Sequence, residues 1–285
     1  MLRKIKKQKI YLLALLLPFI IFVIGFEIGP LVAMINNSFF ADDGIHRTID
    51  QYLKVFNSNF YMEGIKNSLE ISLISAVISV IIALIAAYSF TKFSKKTQNR
   101  LLMLSNVTSN FEGLPLSFSY IILLGTNGLF TLLFHKMGFD VLGKFNLYSW
   151  TGLILVYVYF QIPLAIMLIY PSFQGIKQQW KEASALLGGT KISFWFRIGI
   201  PVLLPSIVGT FSILFANAMG AYGTAYALVG SNYNLMSIQI SSLVASDVTL
   251  NPQLGSTLGV LLATTMIAAM WFNERMMRRI RRDLR

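Results

Sequence analysis

The chain contains no cysteine, which excludes disulfides, thiol nucleophiles and zinc–thiolate centres. It has two histidines, His46 and His135, far apart and each in a polar stretch. They cannot assemble a histidine-rich metal site, so no metal site and no catalytic constellation is expected. No G-x-x-x-x-G-K-[ST] loop occurs anywhere in the sequence, so the chain lacks the backbone cradle that holds nucleotide phosphates. Charge is scarce: Asp, Glu, Lys and Arg make up 13% of the residues, against about 25% in a soluble domain. There is no low-complexity linker, no convincing internal repeat and no stretch that reads as a soluble domain.

What fills the space is apolar. Hydrophobic residues make up 55% of the 285 positions, gathered into runs long enough for a bilayer, where a helix needs about 20 apolar residues. Six runs are expected to span, at roughly 11–35, 68–90, 111–134, 151–170, 203–227 and 254–273. The first is too long for a signal-peptide core and lacks a small-residue cleavage site, and is read as a retained span. The third, "LLMLSNVTSNFEGLPLSFSYIILLG", turns polar through Asn106, Thr108, Asn110 and Glu112 and resumes after Pro115. It is either a broken helix or one that starts late. The expected fold is all-α: a polytopic membrane protein of six transmembrane helices.

The net charge of +12 is distributed as short clusters beside apolar runs, a pattern of membrane orientation and not of a face that tracks phosphates. No nucleic-acid partner is expected. Five basic residues lie between Arg3 and Lys9, and four between Lys92 and Arg100. Lys177, Lys181, Lys191 and Arg197 follow, and six arginines close the chain from Arg275. The alternate loops hold only Arg47, Lys54, Lys66, Lys136 and Lys144. By the positive-inside rule both termini face the cytoplasm, as does the segment around 176–201. Asn67 with Glu70 resembles a capping box opening the second span, and Gly255 with Gly259 forms a small-xxx-small pair suited to close packing in the sixth.

The segment "WKEASALLGGTKISFWFRIGIPVLLP" holds two glycines, two prolines and several charges between two apolar runs. Good helix formers dominate up to Leu187, Gly188 and Gly189 supply a helix end, and "TKISFWFRIGI" is amphipathic enough to lie along an interface. Pro201 and Pro205 are expected to mark the return to the bilayer. This segment resembles the EAA loop of binding-protein-dependent ABC importer permeases, whose pattern is E-A-A, three residues, G, nine residues, I-x-L-P. Glu182 and Ala183 match, Ser184 replaces the second alanine, Gly188, Ile198 and Pro201 fall at the required spacing, and Ile200 replaces the leucine.

The resemblance covers about 66–275. It implies a type I importer permease core over those residues, an added basic tail, first span and outer loop at 1–65, and a basic tail at 276–285. It further implies that the loop, about 176–201, is a cytoplasmic coupling helix seated in an ATPase subunit. Glu182 would then meet a basic group there, Ala183 and Ser184 would allow close approach, Gly188 would turn the chain and Pro201 would set the return. The implied partners are an ABC ATPase dimer, a second homologous permease, an extracellular solute-binding protein and the lipid of a bacterial cytoplasmic membrane. ATP would be bound by the partners, with no cofactor on this chain.

A translocation path needs polar side chains in or near spans. Asn110, Glu112, Gln161, Asn217, Tyr222 and Thr224 are the candidates. Glu27 is expected near the outer end of the first span. An acid at Glu112 could attract a cationic solute, or sit at the membrane surface, or pair with the second permease. "AYGTAYALVGSNYNLMSIQI" is similar to the polyamine, ferric iron and phosphonate branch, which implies a small charged solute. The rival is a secondary transporter, for which inverted repeats and matched broken helices are expected. Only one broken segment is visible in the sequence.

Overall fold

The computed structural model describes residues 15–139, 145–246 and 250–283. The expected start of the first span at residue 11, the basic residues Arg3 to Lys9, Lys144 and Arg285 lie outside the described residues. Among the described residues the secondary structure is helical, apart from one isolated β-bridge between Phe40 and Arg47. Among the described residues, six helical runs are long and apolar enough to cross a membrane, as their sequence dictates.

The chain divides into two units, Met1–Met62 with Gln239–Ala263, and Glu63–Ile238 with Thr264–Arg285. In the first unit, α1 (Leu15–Asn37) has none of its apolar window buried. Glu27 lies within a π-turn, Ile24–Ile28, in the body of this helix, nine residues before Asn36. At 1.5 Å per residue that is about 13 Å along the helix. After α1 the loop is tied by Asp42, which accepts from Gln51 Nε2 at 2.9 Å, Asn251 Nδ2 at 2.8 Å and Lys54 Nζ. These donors hold the Asp42 carboxyl well below the usual carboxylate range. Helix α2 (Asp50–Asn57) follows. Gly259 is packed so closely that a Cβ there would stand 2.7 Å from Met34 Sδ, and one on Gly255 2.8 Å from Val244 Cγ2. The small-xxx-small pair therefore does pack closely.

The second unit holds most of α3 (Asn59–Phe90), then α4 (Lys95–Ser109), α5 (Leu114–Leu124), α6 (Leu129–Lys136) and α7 (Trp150–Gln174). After the loop helix α8 (Gln178–Leu186) come α9 (Lys191–Gly220) and α10 (Tyr222–Val229). Helices α11 (Met236–Ala245) and α12 (Pro252–Asp283) each have residues in both units. The core joins Ile71, Leu116, Leu153, Tyr157, Phe160, Ala218, Leu228 and Leu235.

Four sequence expectations change. Helix α3 begins at Asn59, so Asn67 lies inside it and caps nothing. Its Nδ2 donates to Asn234 O at 3.0 Å, while Glu70 meets exposed Lys66 at 3.8 Å. The third run is broken by a turn between Leu124 and Leu129, and a helix precedes it. The loop's second segment does not lie apart from span five. It continues into it through a π-turn, Trp195–Gly199, with Pro201 in the first turn of the α-helical part and Pro205 inside it. Proline lacks an N–H, and a π-turn has already displaced the hydrogen-bond ladder at that point, so Pro201 breaks no bond the helix would otherwise make. Span five then stops at Gly220 instead of running to 227, where Tyr157 Oη donates to Ala221 O at 3.2 Å. Flanking Gly220 and Gly223 weaken helix there.

Candidate coupling loop and translocation path

Helix α8 owes its formation to Gln, Lys, Glu, Ala and Leu and its end to Gly188. That residue has φ +78° with open space around its Cα, so glycine is required there by backbone conformation alone. Its N–H bonds Ala185 O at 3.0 Å, and the Gly189 N–H bonds Ser184 O at 2.8 Å, which satisfies the last carbonyls of the helix. A Cβ on Gly189 would lie 2.6 Å from Ser184 Oγ. The small residue at 184 thus accommodates a close approach within its own chain. Thr190 starts the next helix, its Oγ1 accepting from the Ser193 N–H at 3.2 Å.

Glu182 and Ala183 are exposed and Ser184 half-buried. Among the described residues no ion pair involves Glu182. Ala183, Ser184 and Ile198 line a groove of about 530 Å³ together with Trp180, Leu187 and Arg197. Glu182 lines another of about 410 Å³, with Lys181, Lys191, Tyr88 and Trp195. Pro201 is half-buried at the start of the α-helical part of α9. Sequence reasoning missed two features. Leu186 and Leu187 stand 88% and 89% exposed at the end of α8; two adjacent leucines before a glycine stop were the available signal. Trp195 packs against Tyr88 at 5.2 Å, Phe173 at 6.2 Å and Phe194 at 5.8 Å, tying the ends of α3 and α7 to the start of α9. The aromatic "FWF" run was the signal.

The path candidates separate into groups. The Gly113 N–H donates to Thr224 Oγ1 at 3.0 Å, and Asn217 Nδ2 donates to Glu112 Oε2 at 3.4 Å. Ser117, which sequence reasoning did not single out, donates to Thr224 O at 3.1 Å. Glu112, Asn217 and Thr224 are therefore brought together, with Thr224 buried and Glu112 exposed. Tyr222, on the same turn as Thr224, stacks with Tyr226 at 5.3 Å. Asn110 bonds backward to Asn106 O at 2.8 Å. Gln161 stands apart, fully buried, its Nε2 donating to Ser75 Oγ at 3.3 Å while its Oε1 has no hydrogen-bond partner.

An exposed, glycine-ended loop helix between spans is the setting in which the EAA spacing has meaning, and the family comparison extends far beyond that loop. The sequence model of the family described as "Binding-protein-dependent transport system inner membrane component" matches residues 79–282. The chain belongs to this family. Among its inner-membrane relatives, it is 25% identical to the spermidine/putrescine transport system permease protein PotB of Haemophilus influenzae, over 77% of this chain and 78% of that one. It is 25% identical to the sulfoquinovosyl glycerol transport system permease protein SmoH of Agrobacterium fabrum, over 60% of this chain and 54% of that one. It is 24% identical to the putative ferric transport system permease protein FbpB 1 of Haemophilus influenzae, over 95% of this chain and 43% of that one. The chain thus spans about half the length of the latter two. Its fold is that of a chain in a bacterial ABC transporter involved in the import of alginate, with a TM-score of 0.76, 19% identity, and coverage of 98% of this chain and 99% of that one.

Proposed function

We propose that this family member is a permease subunit of an ATP-driven importer in a bacterial cytoplasmic membrane. With a second, homologous permease it forms the translocation path. An ABC ATPase dimer docks on the cytoplasmic loop, and an extracellular solute-binding protein delivers cargo. Both termini of this chain then lie in the cytoplasm. ATP is bound and hydrolysed by the partner subunits, so this chain is not an enzyme and holds no cofactor of its own. The cargo is a polyamine or another small charged solute, such as ferric iron or a phosphonate.

The observation that carries this reading is the loop helix α8. Its Glu182 is exposed without an ion pair among the described residues, and it ends in two leucines exposed at 88% and 89%. Family membership supports the ATPase as the surface that covers them. Glu182 and Ser184 keep the EAA register, Gly188 ends the helix, and Ile198 lines the groove behind it. Closure of the ATPases then acts on α8 and, through Gly188 and Thr190, on the root of α9.

The test is affinity purification of the full chain with its nucleotide-binding subunit, for the wild type and for Glu182→Lys. Losing one side of a desolvated charge pair costs about 2–5 kcal/mol, so affinity for the ATPase is expected to fall about 30-fold or more. Undiminished capture and coupled ATP hydrolysis by the variant would refute the coupling role. Uptake by the purified chain without any ATPase would make it an ion-coupled carrier instead.

A further inference from the structure

We infer that the junction of two interrupted helices, built on Glu112, is a cation-binding site within the translocation path, so that the cargo carries positive charge. The inference rests on reading the chain as a permease and fixes the sign of charge that its path accepts.

Depth comes first. Helices α4 and α5 run antiparallel to α7. Tyr170 Oη donates to Gln98 Oε1 at 2.7 Å near one end. Tyr120 meets Tyr159 at 5.5 Å further along, and a Cβ on Gly125 would lie 3.0 Å from Tyr148 Oη just beyond the other end. Together α4 and α5 therefore cover the length of α7, whose 25 residues measure about 37 Å. The crossing is made by two half-helices, and Asn110–Gly113 between them lies near mid-depth. Gly113 permits the break through its backbone, at φ +78° and ψ −142°, a region close to glycine-only.

A second break meets this one. Helix α9 ends at Gly220 and α10 starts at Tyr222. Gly223 approaches so closely that its Cβ would be 3.7 Å from Gly113 Cα. Non-helical backbone at such depth is tolerated only where it is buried in protein or lines a water-filled cavity. The backbone at Gly113 is held by Thr224, but the Glu112 side chain is exposed. A carboxylate at that depth is too costly to face lipid, which leaves the path or the second permease; in the inferred site it lines the path.

The chemistry there suits a cation. An ionised carboxylate offers about four acceptor positions. Glu112 accepts one long bond from Asn217, and no ion pair involves it among the described residues. The first turns of α5 and α10 point their dipoles toward this junction and steady the carboxylate without neutralising it. An anionic solute would meet like charge there. An ammonium or a metal cation would meet Glu112 and the amide of Asn217, and an ammonium would also find the stacked ring pair Tyr222–Tyr226 on α10.

The experiment uses the assembled importer in proteoliposomes with ATP enclosed. Radiolabelled putrescine and ferric iron are the two cationic probes, sulfate and aminoethylphosphonate the anionic ones. Wild type is expected to take up one of the cations and neither anion. Glu112→Gln is expected to raise KM for that cation at least about tenfold, while Glu112→Asp restores part of the affinity and the variant still captures the ATPase. Comparing the two cations separates ammonium from metal recognition. Cation uptake with unchanged KM in Glu112→Gln would overturn the site, and so would uptake of an anion. ATP-driven anion uptake would leave the permease reading standing alone, and a complex that captures and drives its ATPase but moves neither cation would likewise overturn the cation site alone.

Discussion

Gly199 is the position where one methyl group has the most calculable consequence. It closes the π-turn at the root of α9, and a Cβ there would stand 2.3 Å from Trp195 Cε3 and 2.7 Å from Cζ3. The indole cannot retreat easily, because Tyr88, Phe173 and Phe194 surround it with ring centroids at 5.2–6.2 Å. Real contacts of this kind need more than 3 Å, so either the indole or the helix backbone must move. Overpacking of this sort costs about 1–3 kcal/mol, or about 2–6 °C in melting temperature at the lower end of sensitivity for a chain of this size. The decisive measurement is a double-mutant cycle. Trp195→Ala removes the obstacle, and in that background Gly199→Ala is expected to be neutral or to stabilise by about 0.5–1 kcal/mol, through alanine's better helix propensity. Unfolding of the purified chain in detergent, followed by far-ultraviolet ellipticity, gives all four values. An equal cost of Gly199→Ala in both backgrounds, or no cost in the wild type, would refute the steric account.

Two further outcomes follow from exposure and charge. Leu186→Ser with Leu187→Ser is expected to leave the melting temperature of the isolated chain within experimental error, since surface changes fall within about ±0.5 kcal/mol. The same variant should lose capture of the ATPase subunit, and capture at wild-type affinity would show that these leucines dock nothing. At Asp42 the folded-state pKa is depressed below its ordinary 3.8, first by the Gln51 hydrogen bond, then by Lys54 and Asn251. A depressed carboxylate contributes stability that is present above the unfolded pKa and fades as pH falls below it. Acid titration of the melting temperature should therefore fall more steeply below about pH 4 in the wild type than in Asp42→Asn, and parallel curves would deny the Asp42 contacts a role.

Sequence patterning located what depends on composition. The apolar runs betrayed the spans, the two glycines the end of α8, and the small-xxx-small pair the close packing of α12. Continuity was harder to read. Pro201 and Pro205 looked like a boundary, yet helix passes through both, because a π-turn had already shifted the hydrogen bonds that the first would have broken. Only Gly220 and Gly223 hinted at the break at Ala221, and its other support lies 64 residues away, in the hydrogen bond that Tyr157 donates to the Ala221 carbonyl. The same blindness hid the pairing of two interruptions: the sequence displayed only that around Glu112. Asn67 and Glu70 had the spacing of a cap but sat inside a helix that started earlier, at Asn59. The candidate path residues were picked by type. Which of them would meet was set by tertiary contacts, with Glu112, Asn217 and Thr224 together and Gln161 sealed against Ser75.

The π-turn at Trp195–Gly199 is, in effect, a helical turn with one residue too many. It uses that residue for about the same rotation an α-turn makes, so removing one residue there would restore regular hydrogen bonding and leave the phase of α9 beyond it nearly unchanged. Leu203, Val208, Leu214 and Ala218 would stay buried, and Asn217 would stay beside Glu112. The same deletion in the regular part of α9 would turn everything beyond it by about 100° and break both arrangements. The surplus residue is slack stored at the root of the helix, where the chain can lose length without losing register.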